Sequence, residues 1–125
     1  MASTTAADGT TIGFDDSGSP ANGSDGGSDP TVVLVHGITE SRGSWAPVVE
    51  RLRGEHRVIA LDLRGHGESA MASRYDLEAM AGDVVAVCAA TEVARPHLVG
   101  HSLGGAVVSA VGAALPVSSI VNVDQ

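Results

Sequence analysis

Four short stretches of the chain are predominantly apolar, without the strict alternation of apolar and polar residues that a half-buried strand shows. Each is followed by a histidine, an aspartate or a glycine-rich segment. They cover residues 32–35, 57–61, 97–100 and 119–123. Continuous apolar runs of this length are typical of parallel strands that are covered on both faces. The pattern therefore predicts a largely parallel sheet.

Helical segments are predicted between these runs, at about 44–53, 76–91 and 103–114. In the first segment apolar side chains recur every three or four residues, which is the spacing of one helix face. The third is apolar nearly all round and ends before Pro116, so it should be buried. Strand–helix–strand units of this kind predict an α/β fold, a mostly parallel sheet with helices on both faces and right-handed crossovers.

The first thirty residues differ from the rest of the chain in their pattern and composition. Asp8-Gly9 is a turn signal between two β-prone pieces, which predicts a hairpin within residues 1–17. Residues 18–30 are almost wholly Gly, Ser, Asp, Asn and Pro, and we expect a flexible surface loop there. It follows no buried strand and opens no helix, so it does not qualify as a phosphate-binding glycine loop.

Composition narrows the choice of partners and compartment. The formal net charge is −8, which would repel a phosphate backbone, so a nucleic-acid partner is not expected. The single cysteine, Cys88, allows no internal disulfide, and we interpret it as a small buried apolar residue. The N-terminus lacks the features of a signal peptide, and no apolar run approaches the roughly 20 residues of a membrane span. We therefore expect a soluble, cytoplasmic protein without a membrane partner.

Candidate chemistry lies at the carboxyl ends of the predicted strands, where open α/β sheets bind their ligands. The most specific motif there is Gly100-His101-Ser102-Leu103-Gly104, a G-x-S-x-G between a strand and a helix. A serine on such a sharp turn needs small neighbours, and Gly100 and Gly104 satisfy that need. The helix N-terminus beside it favours developing negative charge. This context predicts Ser102 as a catalytic nucleophile.

Three motifs in this order, VLVHG, DLRGHGES and VGHSLGG, resemble the α/β-hydrolase superfamily, particularly its small-molecule esterase-like members. The resemblance runs from about residue 8 to Gln125, so residues 1–125 are interpreted as a partial α/β-hydrolase domain, incomplete at the C-terminus. It implies that the strand ending at His36 lies beside the strand ending at Gly100. It further implies an oxyanion hole made by the backbone N–H groups of Ile38 and Leu103.

Other polar or aromatic residues near these motifs are interpreted as structural. His36 is expected to be a hydrogen-bonding residue of the His-Gly turn, and Arg64 and His66 to fix the turn that contains them. His101 adjoins Ser102, but adjacent side chains on a tight turn diverge, which makes it a poor base. Trp45 is predicted to anchor the first helix in the core. No residues have metal-ligand spacing, and no metal or cofactor is expected.

The sequence departs from the family pattern after Ser102. In this fold the triad follows the order Ser, Asp or Glu, then His, yet the 23 residues after Ser102 contain no histidine. A serine hydroxyl needs a base to take its proton, so these 125 residues alone should be nearly inactive. Asp124 stands where some members carry a displaced acid, although a structural role is the more common one for such an aspartate.

Three functional hypotheses follow. The first is a serine hydrolase of a small-molecule carboxylic ester or similar acyl compound, acting through an acyl-enzyme intermediate. The second keeps the fold but performs carbon–carbon bond hydrolysis or cofactor-free peroxidation. The third is a non-catalytic ligand binder or remnant. A serine at position 102 disfavours the dehalogenase and epoxide-hydrolase branches, which carry an aspartate there. A histidine encoded downstream of codon 125 would favour the first two hypotheses.

Overall fold

A computed structural model describes residues 2–19 and 31–123, which form one six-stranded sheet flanked by helices. The strands lie in the order β1-β2-β4-β3-β5-β6. Their bounds are β1 Ala2–Thr5, β2 Thr11–Asp16, β3 Thr31–Val35, β4 Arg57–Leu61, β5 His97–His101 and β6 Ser119–Val123. The helices are α1 Ala46–Leu52, α2 Leu77–Ala90 and α3 Leu103–Ala114.

The sheet is antiparallel at one side and parallel across the rest. β1 and β2 form the predicted hairpin, and β2 pairs antiparallel with β4. β3 pairs parallel with β4 on one side and with β5 on the other, and β5 pairs parallel with β6. The predicted α/β class with a mostly parallel sheet is confirmed, and so is the neighbourhood of β3 and β5.

The first predicted helix is shorter than expected. A 3-10 turn, Arg42–Trp45, precedes α1, whose first turn contains a proline. Pro47 has no N–H to donate to the carbonyl four residues earlier, at Gly43. The Gly43 carbonyl instead accepts from the N–H of Ala46, which is the shorter hydrogen bond of a 3-10 turn. The apolar stripe therefore begins in a 3-10 turn and continues into an α-helix.

Two apolar clusters cover the two faces of the sheet. The larger cluster packs Val33, Ile59 and Leu98 against α2 and α3. The smaller cluster packs Val32, Leu34, Val58 and Ala60 against Trp45 and α1. Trp45 is buried, as the sequence analysis expected of a core anchor. Helices thus cover both faces, with two on one face and one on the other.

Some sequence-based expectations fall outside the described residues. Residues 20–30, which make up most of the predicted glycine-rich loop, are among them, and so is Asp124. Across 2–19 and 31–123, no helix is long and apolar enough to cross a membrane.

Candidate functional site

The carboxyl ends of three neighbouring strands meet at one edge of the sheet. Because β4, β3 and β5 are adjacent and parallel, the segments that follow them converge there. These segments begin at His36, Asp62 and Ser102. The topology therefore brings together the three motifs that the sequence analysis singled out.

Ser102 occupies the sharp turn between β5 and α3. Its backbone has φ 57° and ψ −115°, a conformation that L-residues other than glycine adopt rarely. The Ser102 N–H donates to the carbonyl of Val123 at the end of β6, at 3.2 Å. The side chain is partly exposed and makes no capping hydrogen bond to α3. The strained backbone thus holds the hydroxyl at the edge of the sheet, and no hydrogen bond to α3 engages it.

Small residues around Ser102 are required by close backbone contacts. A Cβ at Gly100 would collide with the backbone of Gly104, and a Cβ at Gly104 would collide with the carbonyl of Val35. A Cβ at Gly105 would collide with the side chain of Asn122 on β6. Because two of these obstacles are backbone atoms, no side-chain rearrangement could relieve them. The turn at Ser102 can form only with glycine at positions 100 and 104.

The loop after β3 lies directly against Ser102. A Cβ at Gly37 would be 3.2 Å from Ser102 Cβ and 3.2 Å from the carbonyl oxygen of His101. The next residue, Ile38, is 63% exposed. Among the described residues, the N–H groups of Ile38 and Leu103 are not hydrogen-bonded. Leu103 is the first residue of α3, where a helix leaves its N–H groups free.

Glu40 connects this loop with the turn at Ser102. Its Oε1 accepts a hydrogen bond from the Gly37 N–H at 2.8 Å and another from Nδ1 of His101 at 3.2 Å. The Gly37 amide, and then His101, lower the pKa of the Glu40 carboxyl below its ordinary value. The carboxylate is therefore ionised at neutral pH. The sequence analysis missed Glu40, whose contact with His101 spans 61 positions of the chain.

His36 has a structural role, as the sequence analysis expected. It is fully buried, its Nδ1–H donates to the Gly37 carbonyl at 2.7 Å, and its Nε2 accepts from the Leu63 N–H at 3.1 Å. Burial is the main cause that lowers the pKa of His36. Both ring nitrogens are occupied in the neutral form, so this imidazole is not free to act on Ser102.

The turn after β4 is fixed by a buried aspartate. Asp62 accepts hydrogen bonds from the N–H of Arg42 at 2.6 Å and from the N–H of Glu68 at 2.9 Å, and the Arg42 guanidinium pairs with it. In the same turn, His66 donates from Nδ1 to the carbonyl of Arg64 at 2.9 Å. The structural role expected for His66 fits this contact.

Arg64 is more deeply buried than an arginine usually is, at 1% exposure. Its Nε and Nη2 donate to Asp83 on α2 at 3.1 and 2.8 Å, and its Nη1 donates to Asp8 at 2.8 Å. These hydrogen bonds raise the pKa of Arg64, with that to Asp83 the largest cause. Arg64 therefore ties α2 and the first hairpin to the turn, which agrees with the expected turn-fixing role.

Within residues 2–19 and 31–123, no group of three or more His, Cys, Asp or Glu side chains is placed to hold a metal ion. Cys88 is buried in α2, as the sequence analysis expected. Burial raises the pKa of its thiol to about 11. Cys88 is therefore a packing residue and lacks the low pKa of a reactive thiol.

A serine on a strained strand-to-helix turn, at the carboxyl edge of a mostly parallel sheet, is typical of α/β folds that bind their ligands at this edge. Residues 30–125 match the family described as the alpha/beta hydrolase fold. This match covers more than half of the chain, and the chain belongs to the α/β-hydrolase family.

Individual relatives of the chain have different names. Over 86 residues the chain is 46% identical to the dihydrolipoyllysine-residue acetyltransferase component of the acetoin cleaving system of Pseudomonas putida, covering 68% of this chain and 23% of that protein. It is 37% identical over 86 residues to a fluoroacetate dehalogenase of Burkholderia sp, covering 64% of this chain and 28% of the relative. The solved structure of an esterase from Rhodococcus sp. ECU1013 superimposes with a TM-score of 0.81 at 35% identity, over 97% of this chain and 44% of the esterase.

The chain spans less than half the length of each of these three proteins. One of these relatives is named a dehalogenase and the solved structure is that of an esterase, so the family includes more than one reaction. The family alone does not select one reaction, because one fold serves many chemistries.

Proposed function

We propose that Ser102 is the nucleophile of a serine hydrolase that cleaves a small-molecule carboxylic ester or similar acyl compound. The observation that carries this proposal is the strained backbone of Ser102, at φ 57°. The N–H groups of Ile38, in the loop against Ser102, and of Leu103 have no acceptor among the described residues. Strain of this kind concentrates at functional sites. Serine hydrolases use such a strand-to-helix turn as a nucleophile elbow.

In the first step, Ser102 Oγ attacks the carbonyl carbon of the ester, and a base takes the hydroxyl proton. The carbonyl oxygen becomes an oxyanion, which the Ile38 and Leu103 N–H groups would bind. The C–O bond to the alcohol then breaks and the alcohol leaves with that proton, which forms the acyl-enzyme. Water attacks the acyl-enzyme in the same way and releases the carboxylic acid and free Ser102.

The base belongs outside these 125 residues in this proposal. His36 uses both ring nitrogens in backbone hydrogen bonds. His66 is bonded through Nδ1 to the carbonyl of Arg64, within the turn after β4. His101 is bonded through Nδ1 to Glu40, which leaves its Nε2 open, but we exclude it as the base because it adjoins Ser102 and adjacent side chains on a tight turn diverge. No histidine follows Ser102 in the sequence. Without a base, an oxyanion hole and substrate binding retain only about 10³–10⁴-fold acceleration over water. Residues 1–125 alone are therefore proposed to be nearly inactive.

The experiment compares the 125-residue chain with the longest protein that its reading frame encodes, using a short-chain chromogenic ester. In the longer protein, Ser102→Ala should abolish hydrolysis and leave the folded state intact, because replacing a hydroxyl by hydrogen leaves little cavity. Ser109→Ala, on the exposed side of α3, is the matched control and should keep full activity. Near-full activity in Ser102→Ala would refute the proposal. Turnover of about 1–10³ per second by residues 1–125 alone would refute the assignment of the base to other residues.

A further inference from the structure

Glu40 makes contacts that neither the three motifs nor the proposed roles of Ser102, Ile38 and Leu103 explain. A single oxygen, Oε1, accepts from the backbone of the loop after β3 and from the histidine that precedes Ser102. Glu40 is partly exposed, and its pKa remains low because both donors stabilise the carboxylate. A partly exposed carboxylate that accepts from both the loop after β3 and the end of β5 has less side-chain freedom than a surface glutamate usually has.

Residues 37–40 form a turn that is closed by two hydrogen bonds between Glu40 and Gly37. Its N–H donates to the Gly37 carbonyl at 3.1 Å, while its carboxylate accepts from the Gly37 N–H at 2.8 Å. Between these two hydrogen bonds lies Thr39, with φ 64°. A β-branched residue in this left-handed region costs of the order of 1–3 kcal/mol, so the turn persists only while its surroundings hold it.

The same contacts determine which amide of the loop is free. Glu40 occupies the Gly37 N–H, whereas the N–H of Ile38 has no acceptor among the described residues. The second contact joins this turn to His101 and hence to the strand that positions Ser102. Gly37 itself packs against Ser102, so a displaced turn would move the loop relative to the serine.

We propose that Glu40 is a positioning residue of the oxyanion site: through its hydrogen bonds to Gly37 and His101 it holds the 37–40 turn against Ser102 and leaves the Ile38 N–H as the loop's donor. This inference rests on the proposed function of Ser102. It assigns Glu40 an effect on the transition state, where the oxyanion exists, and little effect on ground-state binding of the ester.

Two substitutions separate the hydrogen bond from the charge. Glu40→Gln removes the charge but keeps a side-chain oxygen at the same reach, whereas Glu40→Asp keeps the charge and shortens the reach by one methylene. The same pair at Glu50, an exposed residue of α1, provides matched controls. All four variants are made in the longest protein that the reading frame encodes, and kcat and KM are measured for a short-chain ester.

The positioning role predicts that Glu40→Asp lowers kcat at least about tenfold, with a limit near 10³-fold for complete loss of one oxyanion donor. KM should change little. Glu40→Gln should stay within about threefold of the parent, because a neutral acceptor retains roughly half the strength of a charged one. Both Glu50 variants should match the parent. The Gly37 amide should exchange with solvent faster in Glu40→Asp and remain protected in Glu40→Gln.

Three results would overturn the proposal. The first is a kcat for Glu40→Asp equal to that of Glu50→Asp. The second is a larger loss in Glu40→Gln than in Glu40→Asp, which would make the charge the important property. The third is a loss in His101→Gln as complete as in Ser102→Ala, which would make His101 the base. If Ser102→Ala stays active, the proposed function has failed instead, and Gly37 amide exchange alone decides the role of Glu40.

Discussion

Helices bury one face of the sheet more completely than the other. We call the face under α2 and α3 the closed face, and the face that α1 and Trp45 cover the open face. On one face α2 and α3 lie over the strands, and Val33, Ile59 and Leu98 are completely buried beneath them. On the other face α1 and Trp45 cover β3 and β4. Farther along that face, Val121 on β6 pairs with Val99 and remains 48% exposed. Ile120, which pairs with Leu98 on the other face, is also 40% exposed, because β6 is the last strand of the described sheet.

The strained turn at Ser102 follows β5, which lies between β3 and β6 in the sheet. The turn is held on one side by glycine contacts with β3 and α3, and on the other by the N–H contact to Val123 on β6. β6 carries exposed Ile120, Val121 and Val123. An exposed apolar strand is a template for pairing with further polypeptide. When residues 1–125 are expressed alone, the support of Ser102 on the β6 side should therefore be weaker than its support on the β3 side.

The largest effect is expected where α2 is joined to the turn after β4. Arg64→Met would leave Asp83 buried without its charge partner, and removing one member of a buried ion pair costs about 3–5 kcal/mol. Arg74→Met, which removes an exposed ion pair, should cost less than about 1 kcal/mol. Urea unfolding measures both free energies. The double variant Arg64→Leu, Asp83→Leu should recover stability, because it removes both charges. Equal losses in Arg64→Met and Arg74→Met would show that the closed face does not depend on the Arg64–Asp83 pair.

A second effect compares the faces with one matched substitution. Val33→Ala removes two buried methyl groups and should cost about 2–3 kcal/mol, the transfer energy plus a cavity contribution. Val121→Ala removes the same groups from a half-exposed position and should cost less than about 1 kcal/mol. Chemical denaturation of the two variants gives the difference. If Val121→Ala proves as costly as Val33→Ala, the open face is more closed in solution than the structure indicates.

The smallest effect concerns the buried thiol. Burial raises the pKa of Cys88 to about 11, so at pH 8 the folded protein should react slowly with a thiol reagent. The unfolded thiol loses its proton at lower pH than the folded one, so stability should fall as pH rises from about 9 to 11. Introducing Val121→Cys into a Cys88→Ala background offers a matched thiol on the open face, which should react at once. Equal reaction rates would contradict the contrast between the faces.

Sequence patterning predicted most of the fold because the determining features are local. The apolar runs, the glycine pair around Ser102 and the Asp8-Gly9 turn each require only a few consecutive residues. The contacts of Glu40 and Arg64 could not be predicted in the same way. Glu40 meets His101 only after β3 and β5 have paired, and a buried Arg64 reverses the usual exposure of arginine. The proline in the first turn of α1 was a signal for the 3-10 turn, but the apolar periodicity of the segment predicted one continuous helix.

If Ser102 is the attacking residue, a reagent that forms covalent adducts with activated serines should label it. The longest protein of the reading frame is treated with a fluorophosphonate ester, which phosphonylates activated serines, and tandem mass spectrometry locates the adduct. We expect one phosphonate per molecule, on Ser102, with loss of ester hydrolysis in proportion to labelling and no labelling of Ser102→Ala. An adduct on another residue such as Ser109, or full hydrolytic activity with Ser102 labelled, would contradict it.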